Sequence, residues 1–345
     1  MTAIGICFAC QEEIPSTDGT SIYLAASVET PIESRVPYLS SPEPTPSEVL
    51  HAAVWATTTS GTYIGRDLNG KDPNNIDVVD IHATADFNDG QPKLLNAAVY
   101  PSSGVAVDFI GLHPNMGWTT EGDAGLKAEF TFNGSQDVMF APKVTGTYAQ
   151  DNTANILTLS FQHLLTWLKI KIKAEEGLED MVAKSWGKVK SISVGSANKV
   201  SIDLNEVYSF ENSVHFSGDA RLPLRQIGSD AEFPSTIAYF DLEKADPSKE
   251  VAYVLCQPVI ATAENYGETT PEYYLYIETE RRTNVVLPID LKRNATAYFE
   301  GSTRAKHFTL NLTFMVGNIV MVQAEATDWV WKKDNDLDLD LDMNN

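Results

Sequence analysis

A period-two alternation of apolar and polar residues constrains this chain more than any other feature. Residues 168–173 read Leu-Lys-Ile-Lys-Ile-Lys, and residues 308–316 place Phe, Leu, Leu, Phe and Val at every second position. Successive side chains of a strand point to opposite faces, so the pattern predicts strands with one buried face. Helical periodicity is scarce, and residues 178–186 are the one segment predicted to form a short helix. Many short strands separated by turn signals predict an all-β fold of β-sandwiches.

The charge of the chain excludes two classes of partner. Asp and Glu number 47 against 25 Lys and Arg, which gives a formal net charge of −22. Binding to a nucleic-acid backbone or to an anionic lipid surface depends on clustered Lys and Arg, so neither partner is predicted. No run of about 18 apolar residues is present, so no transmembrane helix is predicted either.

Motifs for catalysis and metal binding are missing from the sequence. The six histidines form no His-Glu-x-x-His pair, and there is no Gly-x-Ser-x-Gly elbow. Residues 65–71 have the glycine and lysine spacing of a phosphate-binding loop, but Asp72 stands where the magnesium-binding hydroxyl is needed. The neighbouring residues favour a turn instead. We therefore predict a protein that is not an enzyme and that has no metal site and no cofactor.

The first ten residues resemble the end of a secretory signal. Residues 3–10 are small and apolar, and the polar run 11–13 follows directly. Ala9-Cys10 resembles the lipobox of bacterial lipoproteins, in which the cysteine carries the lipid, and the run 11–13 resembles a signal for export to the outer face of the outer membrane. Cys7 replaces the usual leucine, and the missing basic region predicts a longer signal before Met1. The alternatives are a frayed terminus with two spare thiols and, less favoured, a redox Cys-x-x-Cys.

An alternating strand and a proline-rich linker come next. Ile22, Leu24, Ala26 and Val28 occupy every second position and predict a strand. Five prolines lie between residues 31 and 46. Proline removes the backbone donor that a sheet or helix needs, so this segment is predicted to be an exposed, extended linker. Arg35 lies within it, and no other Lys or Arg precedes Arg66.

The length predicts two domains. A chain of 345 residues suits two domains of roughly 100–200 residues each. The polar stretch 143–155 is rich in Gly, Thr and Asn and predicts the boundary between them. The predicted segments are a residual signal and lipobox (1–20), the strand with its linker (21–46), two sandwiches (47–150 and 151–331) and an acidic tail (332–345).

Four segments, in this order and spacing, resemble the fimbrillin family, the subunits of type V pili on Gram-negative anaerobes. The first combines Val99-Tyr100-Pro101 with 107–114, a strand running into a turn that ends in proline. The second, 137–141, reads Asp-Val-Met-Phe-Ala, and the third, 159–165, carries a Phe-x-His followed by two leucines. The fourth is the final strand, 319–329, which ends in Asp-Trp. Each histidine and apolar residue in them is also compatible with ordinary core packing.

The resemblance implies a fold, an export route and a mode of assembly. The fold is two tandem transthyretin-like, Greek-key β-sandwich domains with few short helices. Export as a lipoprotein, with Cys10 lipidated, places the chain on the outer membrane and in the fimbrium at the cell surface. An arginine-specific protease then removes the N-terminal strand, and a strand from another pilus subunit fills the groove by β-strand addition.

This sequence offers a candidate for each step of that assembly. Cleavage at Arg35 would free the strand that carries Ile22, Leu24, Ala26 and Val28; the alternative is that Arg35 is only a surface residue of the linker. The donor-strand candidates alternate with aspartates in the tail: Leu337, Leu339, Leu341 and Met343. An unstructured acidic tail competes with that interpretation. Calcium binding by the spaced aspartates is less favoured, because no glycine turn or closing glutamate completes the pattern.

The predicted function is that of a non-enzymatic pilus subunit or adhesin at the cell surface. Stalk subunits of the family that the chain resembles have a longer tail after the final strand. Here 14 residues follow Trp331, so the resemblance implies a tip or accessory subunit. Its expected partners are other pilus subunits, the arginine-specific protease and a host or bacterial surface glycan or protein. The alternative function is a monomeric glycan-binding surface lipoprotein, in which Trp118 or Trp55 would stack on sugars. Packing in the core or in a turn is the competing interpretation of both tryptophans.

Overall fold

A computed structural model gives the fold over most of the chain. It describes residues 23–28, 49–58, 61–64, 77–82, 105–114, 117–121, 127–147, 156–204, 213–227, 231–235, 239–259, 273–289, 291, 306–317 and 319–328. Strands β1 to β10 are Tyr23–Val28, Val49–Thr58, Gly61–Ile64, Asp77–His82, Val107–His113, Trp118–Glu121, Lys127–Thr131, Met139–Gly146, Ile156–His163 and Thr166–Ala174. Strands β11 to β20 are Val189–Ser196, Lys199–Asp203, Val214–Ser217, Ala220–Pro223, Arg225–Gln226, Glu250–Cys256, Tyr273–Thr279, Val285–Ile289, Lys306–Met315 and Ile319–Asp328. Helix α1 is Glu179–Trp186, and Leu242–Lys244 forms a 3-10 turn.

The described strands form four sheets, which confirms the all-β sandwich class. The first sheet has the order β1-β9-β8-β5-β2-β3, with β4 also paired to β2, and the second has the order β13-β12-β7-β6. The third sheet runs β15-β16-β10-β19-β20 and the fourth β14-β11-β17-β18. Among the described strands, three pairs cross residue 150: β1 with β9, β8 with β9 and β7 with β12. The division into 47–150 and 151–331 stays a prediction.

The third sheet follows directly from the alternation in the sequence. Ile170 and Ile172 on β10 are fully buried, and so are Leu310 and Leu312 on β19. The two strands run parallel with Ile170 opposite Leu310 and Ile172 opposite Leu312, so the apolar residues share one face of the sheet. That face belongs to a hydrophobic core that reaches from residue 53 to residue 324.

The predicted helix is confirmed, and the last two strands form a hairpin. Helix α1 buries Val182 and Trp186, which are four residues apart and therefore lie on one face. The β19–β20 hairpin pairs Met315 with Ile319 across its turn. Gly317 in that turn has a φ of +94°, a conformation that favours glycine. Among the described residues no helix is long and apolar enough to span a membrane.

Two segments differ from the sequence-based expectation. The resembling segment 159–165 and the alternating run 168–173 belong to two strands, β9 and β10, because the chain leaves the first sheet at His163 and enters the third at Thr166. The predicted boundary segment 143–155 begins inside a strand, since β8 continues to Gly146. The change of sheet between β9 and β10 has no signal in the local polarity pattern, because it depends on distant partners.

Candidate functional site

Strand β1 lies at the end of the first sheet and is the candidate exchange strand. It pairs in parallel with β9 over six residues, from Tyr23 opposite Ile156 to Val28 opposite Phe161. Strand β4 approaches β1, but its ladder is with β2. Among the described strands β1 therefore has one hydrogen-bonded neighbour, which is the arrangement of an edge strand.

The seat of β1 is strand β9, which packs closely against β5. Leu159 and Phe161 on β9 are fully buried. A Cβ atom at Gly111 on β5 would lie 2.5 Å from Cζ of Phe161 and 3.2 Å from the Cβ of Ala141. Glycine at this position therefore leaves the space that the Phe161 ring occupies. Three of the segments that resemble the fimbrillin family meet here, since they carry Gly111, Ala141 and Phe161.

A buried polar pair fixes the end of β9. Nδ1 of His163 lies 2.6 Å from Oδ2 of Asp137, and both side chains are fully buried. Next to them the backbone N–H of Leu164 donates to the carbonyl of Val138 at 2.9 Å. Buried polar groups are almost always hydrogen-bonded, because an unmade bond costs free energy there. From the sequence alone, His163 is compatible with ordinary core packing. A histidine in one apolar run and an aspartate opening another were the only signal for this pair.

A contact near the surface joins strands β5 and β8. Asp108 on β5 lies 2.9 Å from Nζ of Lys143 and 2.6 Å from Oγ1 of Thr145, both on β8. Partial burial raises the pKa of Asp108, but the hydrogen bonds from Thr145 and Lys143 and the lysine charge outweigh it, so this pKa lies below its ordinary value. The ionised carboxylate thus holds β5 and β8 together.

The segment leading to Asp137 is tied to the third sheet. The carbonyl of Gly134 accepts a hydrogen bond from the N–H of Leu255 at 2.8 Å, and the carbonyl of Asn133 accepts one from Nη2 of Arg225 at 3.1 Å. The side chain of Asn133 also accepts hydrogen bonds from the N–H and hydroxyl of Ser135, at 3.0 and 2.7 Å. The seat of β1 is therefore braced by a second part of the molecule.

The predicted site residues divide into two groups. Leu24, Ala26 and Val28 lie on β1, opposite Leu157, Leu159 and Phe161 of β9. The remaining ones lie outside the described residues: Cys10, Ile22, Arg35, Leu337, Leu339, Leu341 and Met343. The roles proposed for all of them stay predictions.

The tryptophans proposed for sugar stacking are both engaged inside the protein. Trp55 on β2 is fully buried, so its ring is closed to a sugar. Trp118 is half-buried, its indole N–H donates to the carbonyl of Pro114 at 2.7 Å, and its ring lies 5.2 Å from that of Phe130. Core and turn packing is thus the better interpretation of both.

Groups with reactive or metal-binding potential are few. In the part of the chain that the structure describes, no three His, Cys, Asp or Glu side chains are placed to hold a metal ion. Cys256 is fully buried, and burial raises the pKa of its thiol to about 12. A thiol that stays protonated at neutral pH is neither a nucleophile nor a metal ligand.

A solved structure shares this fold, and a second is similar to it. A candidate cell adhesion protein from Bacteroides uniformis superimposes with a TM-score of 0.52 at 14% identity, over 91% of this chain and 99% of that one. A fimbrial protein from Bacteroides vulgatus gives a TM-score of 0.47 at 14% identity, over 90% and 99%. At 14% identity the likeness to the Bacteroides uniformis protein concerns the fold alone. No curated protein matches the chain.

Part of the sequence matches a known protein family. Residues 50–207 match the family described as fimbrillin-like. The first three resembling segments lie inside this match, and the fourth, 319–329, lies beyond it. The predicted resemblance to the fimbrillin family is confirmed over residues 50–207.

Proposed function

We propose that this chain is a structural subunit of a cell-surface pilus or adhesin and that it assembles by exchange of strand β1. The observation that carries the proposal is the position of β1, which is joined to the first sheet by a single six-residue ladder on β9. An edge strand leaves when one ladder of hydrogen bonds opens, and the freed edge of β9 then presents N–H and C=O groups to an incoming strand. The fimbrillin-like family supports this role.

The acidic tail has the pattern that the vacated position requires. It offers four apolar residues at every second position between Leu337 and Met343, as the N-terminal strand does between Ile22 and Val28. Both segments span seven residues, which is enough for the six-residue register on β9. A leucine in place of Ala26 adds about 0.8 kcal/mol for each further methylene group that it buries. The donor is thus expected to bind at least as well as the strand that it replaces.

Cleavage at Arg35 is the proposed trigger, and its test is an assembly assay. Full-length protein treated with an arginine-specific protease is expected to form ladders on detergent gels run without boiling. Arg35→Ala is expected to remain monomeric, whereas Arg66→Ala serves as the matched control and should still form ladders. Ladders from Arg35→Ala at the wild-type level, or none from cleaved wild-type protein, would contradict the proposal.

The donor role of the tail needs a separate pair of variants. Leu339→Ser/Leu341→Ser removes apolar side chains from one face of the proposed strand. Asp338→Asn/Asp340→Asn alters the other face and is the control. After cleavage, we expect ladders from the aspartate variant and none from the leucine variant. Equal assembly by both would exclude the tail as donor and leave cleavage at Arg35 to be judged on its own result.

Export as a lipoprotein is proposed from Ala9-Cys10 and is tested by labelling. Cells of a Gram-negative anaerobe that express the chain with its native upstream sequence would be grown with labelled palmitate. We expect label in wild-type protein and in Cys7→Ala, and none in Cys10→Ala. Label that persists in Cys10→Ala would contradict lipidation at this residue.

A further inference from the structure

The outer face of the third sheet carries a polar groove that strand exchange does not use. Its volume is about 300 Å³, which is at the lower end of the range for small-molecule sites. The polar residues that line it come from three strands, β10, β19 and β20: Lys171, Lys173, Asn311, Gln323 and Glu325. Pro247, in the turn before β16, and Ile172 and Leu312 complete the lining.

The register of three strands brings these side chains together. Lys171 on β10 lies opposite Asn311 on β19, which lies opposite Gln323 on β20. Their neighbours Ile172 and Leu312 are fully buried on the other face. Because the polar residues sit on regular strands braced by a packed core, the groove is a preformed feature of the sheet.

Among the described residues, two lysines of the groove lack an ion-pair partner, whereas a third lysine of the same row has one. Lys169, the first of the row, lies 3.4 Å from Glu250 and 4.4 Å from the centre of the Trp167 ring. Within the described part of the chain, Lys171 and Lys173 make no ion pair. Residues two apart on a strand are about 6.6 Å apart on the same face. The two ammonium groups therefore add to the same local positive potential. This is a local positive site on a chain whose net charge is −22.

The other polar groups suit a ligand that carries hydroxyls. Nδ2 of Asn311 donates to Oε1 of Glu325 at 3.2 Å. The other carboxylate oxygen of Glu325 and the side-chain amide oxygens of Asn311 and Gln323 can accept hydrogen bonds from a ligand. Gln323 is exposed beside them. Glu325 disfavours an anion taken alone, but the two lysines outnumber it. A ligand with one negative group and several hydroxyls satisfies the whole set.

We propose that this groove binds an acidic sugar residue of a surface polysaccharide, with its carboxylate or sulfate on Lys171 and Lys173 and its hydroxyls on Asn311, Gln323 and Glu325. The acidic tail of this chain is the competing ligand. Its leucines alternate with its aspartates and need exposed apolar surface. Ile172 and Leu312 belong to the lining of the groove, but both are fully buried and offer little such surface. The proposal does not depend on strand exchange and is tested on uncleaved, full-length protein.

The test is binding to three polymers by calorimetry in low salt. Polygalacturonate offers carboxylates, chondroitin sulfate offers sulfates as well, and dextran is neutral. We expect Lys171→Gln/Lys173→Gln to weaken binding to an acidic polymer about tenfold or more. Lys184→Gln/Lys188→Gln removes the same charge from another exposed surface and should bind as wild type. Binding should also fall as salt screens the lysines.

Several outcomes would overturn the proposal. Equal losses in the two lysine variants would mean non-specific attraction of charge. Binding to dextran as strong as to the acidic polymers, or no binding to either acidic polymer, would exclude the acidic sugar. Competition by a synthetic peptide of residues 334–345, with tighter polymer binding after the tail is deleted, would assign the groove to the tail. Asn311→Ala tests the hydroxyl contacts: wild-type binding to the acidic polymers by this variant would leave only a charge site.

Discussion

Two pairs of described strands run parallel, and they differ in what their removal would do. Strand β19 lies between β10 and β20 and is paired to β10 over eight residues. Strand β1 is paired to β9 over six residues and to no other described strand. Removing β19 would cut the third sheet in two, whereas removing β1 opens one ladder. The same kind of pairing therefore builds a permanent core in one region and, under the proposed strand exchange, a replaceable edge in the other.

The burial of side chains on β19 sharpens the contrast. Phe308, Leu310, Leu312 and Phe314 are at most 1% exposed. Phe314 also meets Trp186 of helix α1 edge-on, with ring centres 5.1 Å apart, and the indole N–H of Trp186 donates to the carbonyl of Met315 at 2.9 Å. Strand β19 is thus locked on both edges and on its inner face.

The largest effect is expected at Phe314. Phe314→Ala removes a buried ring and leaves a cavity, so we expect unfolding to become easier by about 3–5 kcal/mol. Urea unfolding followed by the fluorescence of Trp186 and the other tryptophans measures it. Thr313→Ala, on the opposite face of the same strand, is the control and should change stability by about 0.5 kcal/mol or less. Cleavage at Arg35 should leave the near-ultraviolet circular dichroism largely unchanged; its collapse would mean that β1 is as integral as β19.

The next effect concerns the buried pair that fixes β9. Asp137→Ala leaves His163 without its partner at 2.6 Å in a fully buried position. We expect a loss of about 1–3 kcal/mol in the free energy of unfolding. Asp219→Ala removes an exposed aspartate and is the control. If the two variants were equally stable, the pair would not hold the seat of β1.

The sequence predicted strands where alternation was strong and missed what depends on distant partners. The alternating apolar residues of β10 and β19 predict which face of each strand is buried, because with a period of two only one orientation buries them all. That the two strands are parallel neighbours, 140 residues apart, had no local signal. The same holds for Gly111 beneath Phe161 and for Asp137 beside His163, since each residue alone fits an ordinary core.

The candidate site was predictable only in part. The alternation in 21–28 predicted a strand, and β1 spans its last six residues. Its parallel pairing with β9 depends on a segment more than 100 residues away. The alternation in 168–173 predicts a row of lysines on one face of the strand. That Asn311 and Gln323 complete a groove beside it follows from the sheet order, which periodicity does not encode.

A smaller effect, with a defined pH dependence, is expected at Asp108. Its pKa is lowered in the folded state, so its stabilising contribution is present above the ordinary carboxyl pKa and is lost as the pH falls through the folded value. Asp108→Asn should cost about 0.5 kcal/mol at neutral pH, since the side chain is partly exposed. In urea unfolding curves this cost should shrink as the pH falls below the ordinary carboxyl pKa and vanish below the folded-state pKa. Asp219→Asn is the control, and a cost independent of pH would mean that the charge of Asp108 is not what joins β5 to β8.

The smallest expected effect is an absence of change at Cys256, and it tests whether the two regions are independent. Burial raises the pKa of this thiol to about 12 from an ordinary 9.0, so the reactive thiolate is about a thousandfold scarcer. In a Cys7→Ser/Cys10→Ser background, a thiol reagent should label Cys256 no faster than the protein unfolds. Cleavage at Arg35 should leave that rate unchanged, because β16 pairs with β10 and not with the first sheet. Rapid labelling after cleavage would show that release of β1 opens the third sheet, and the replaceable edge and the permanent core would then be one cooperative unit.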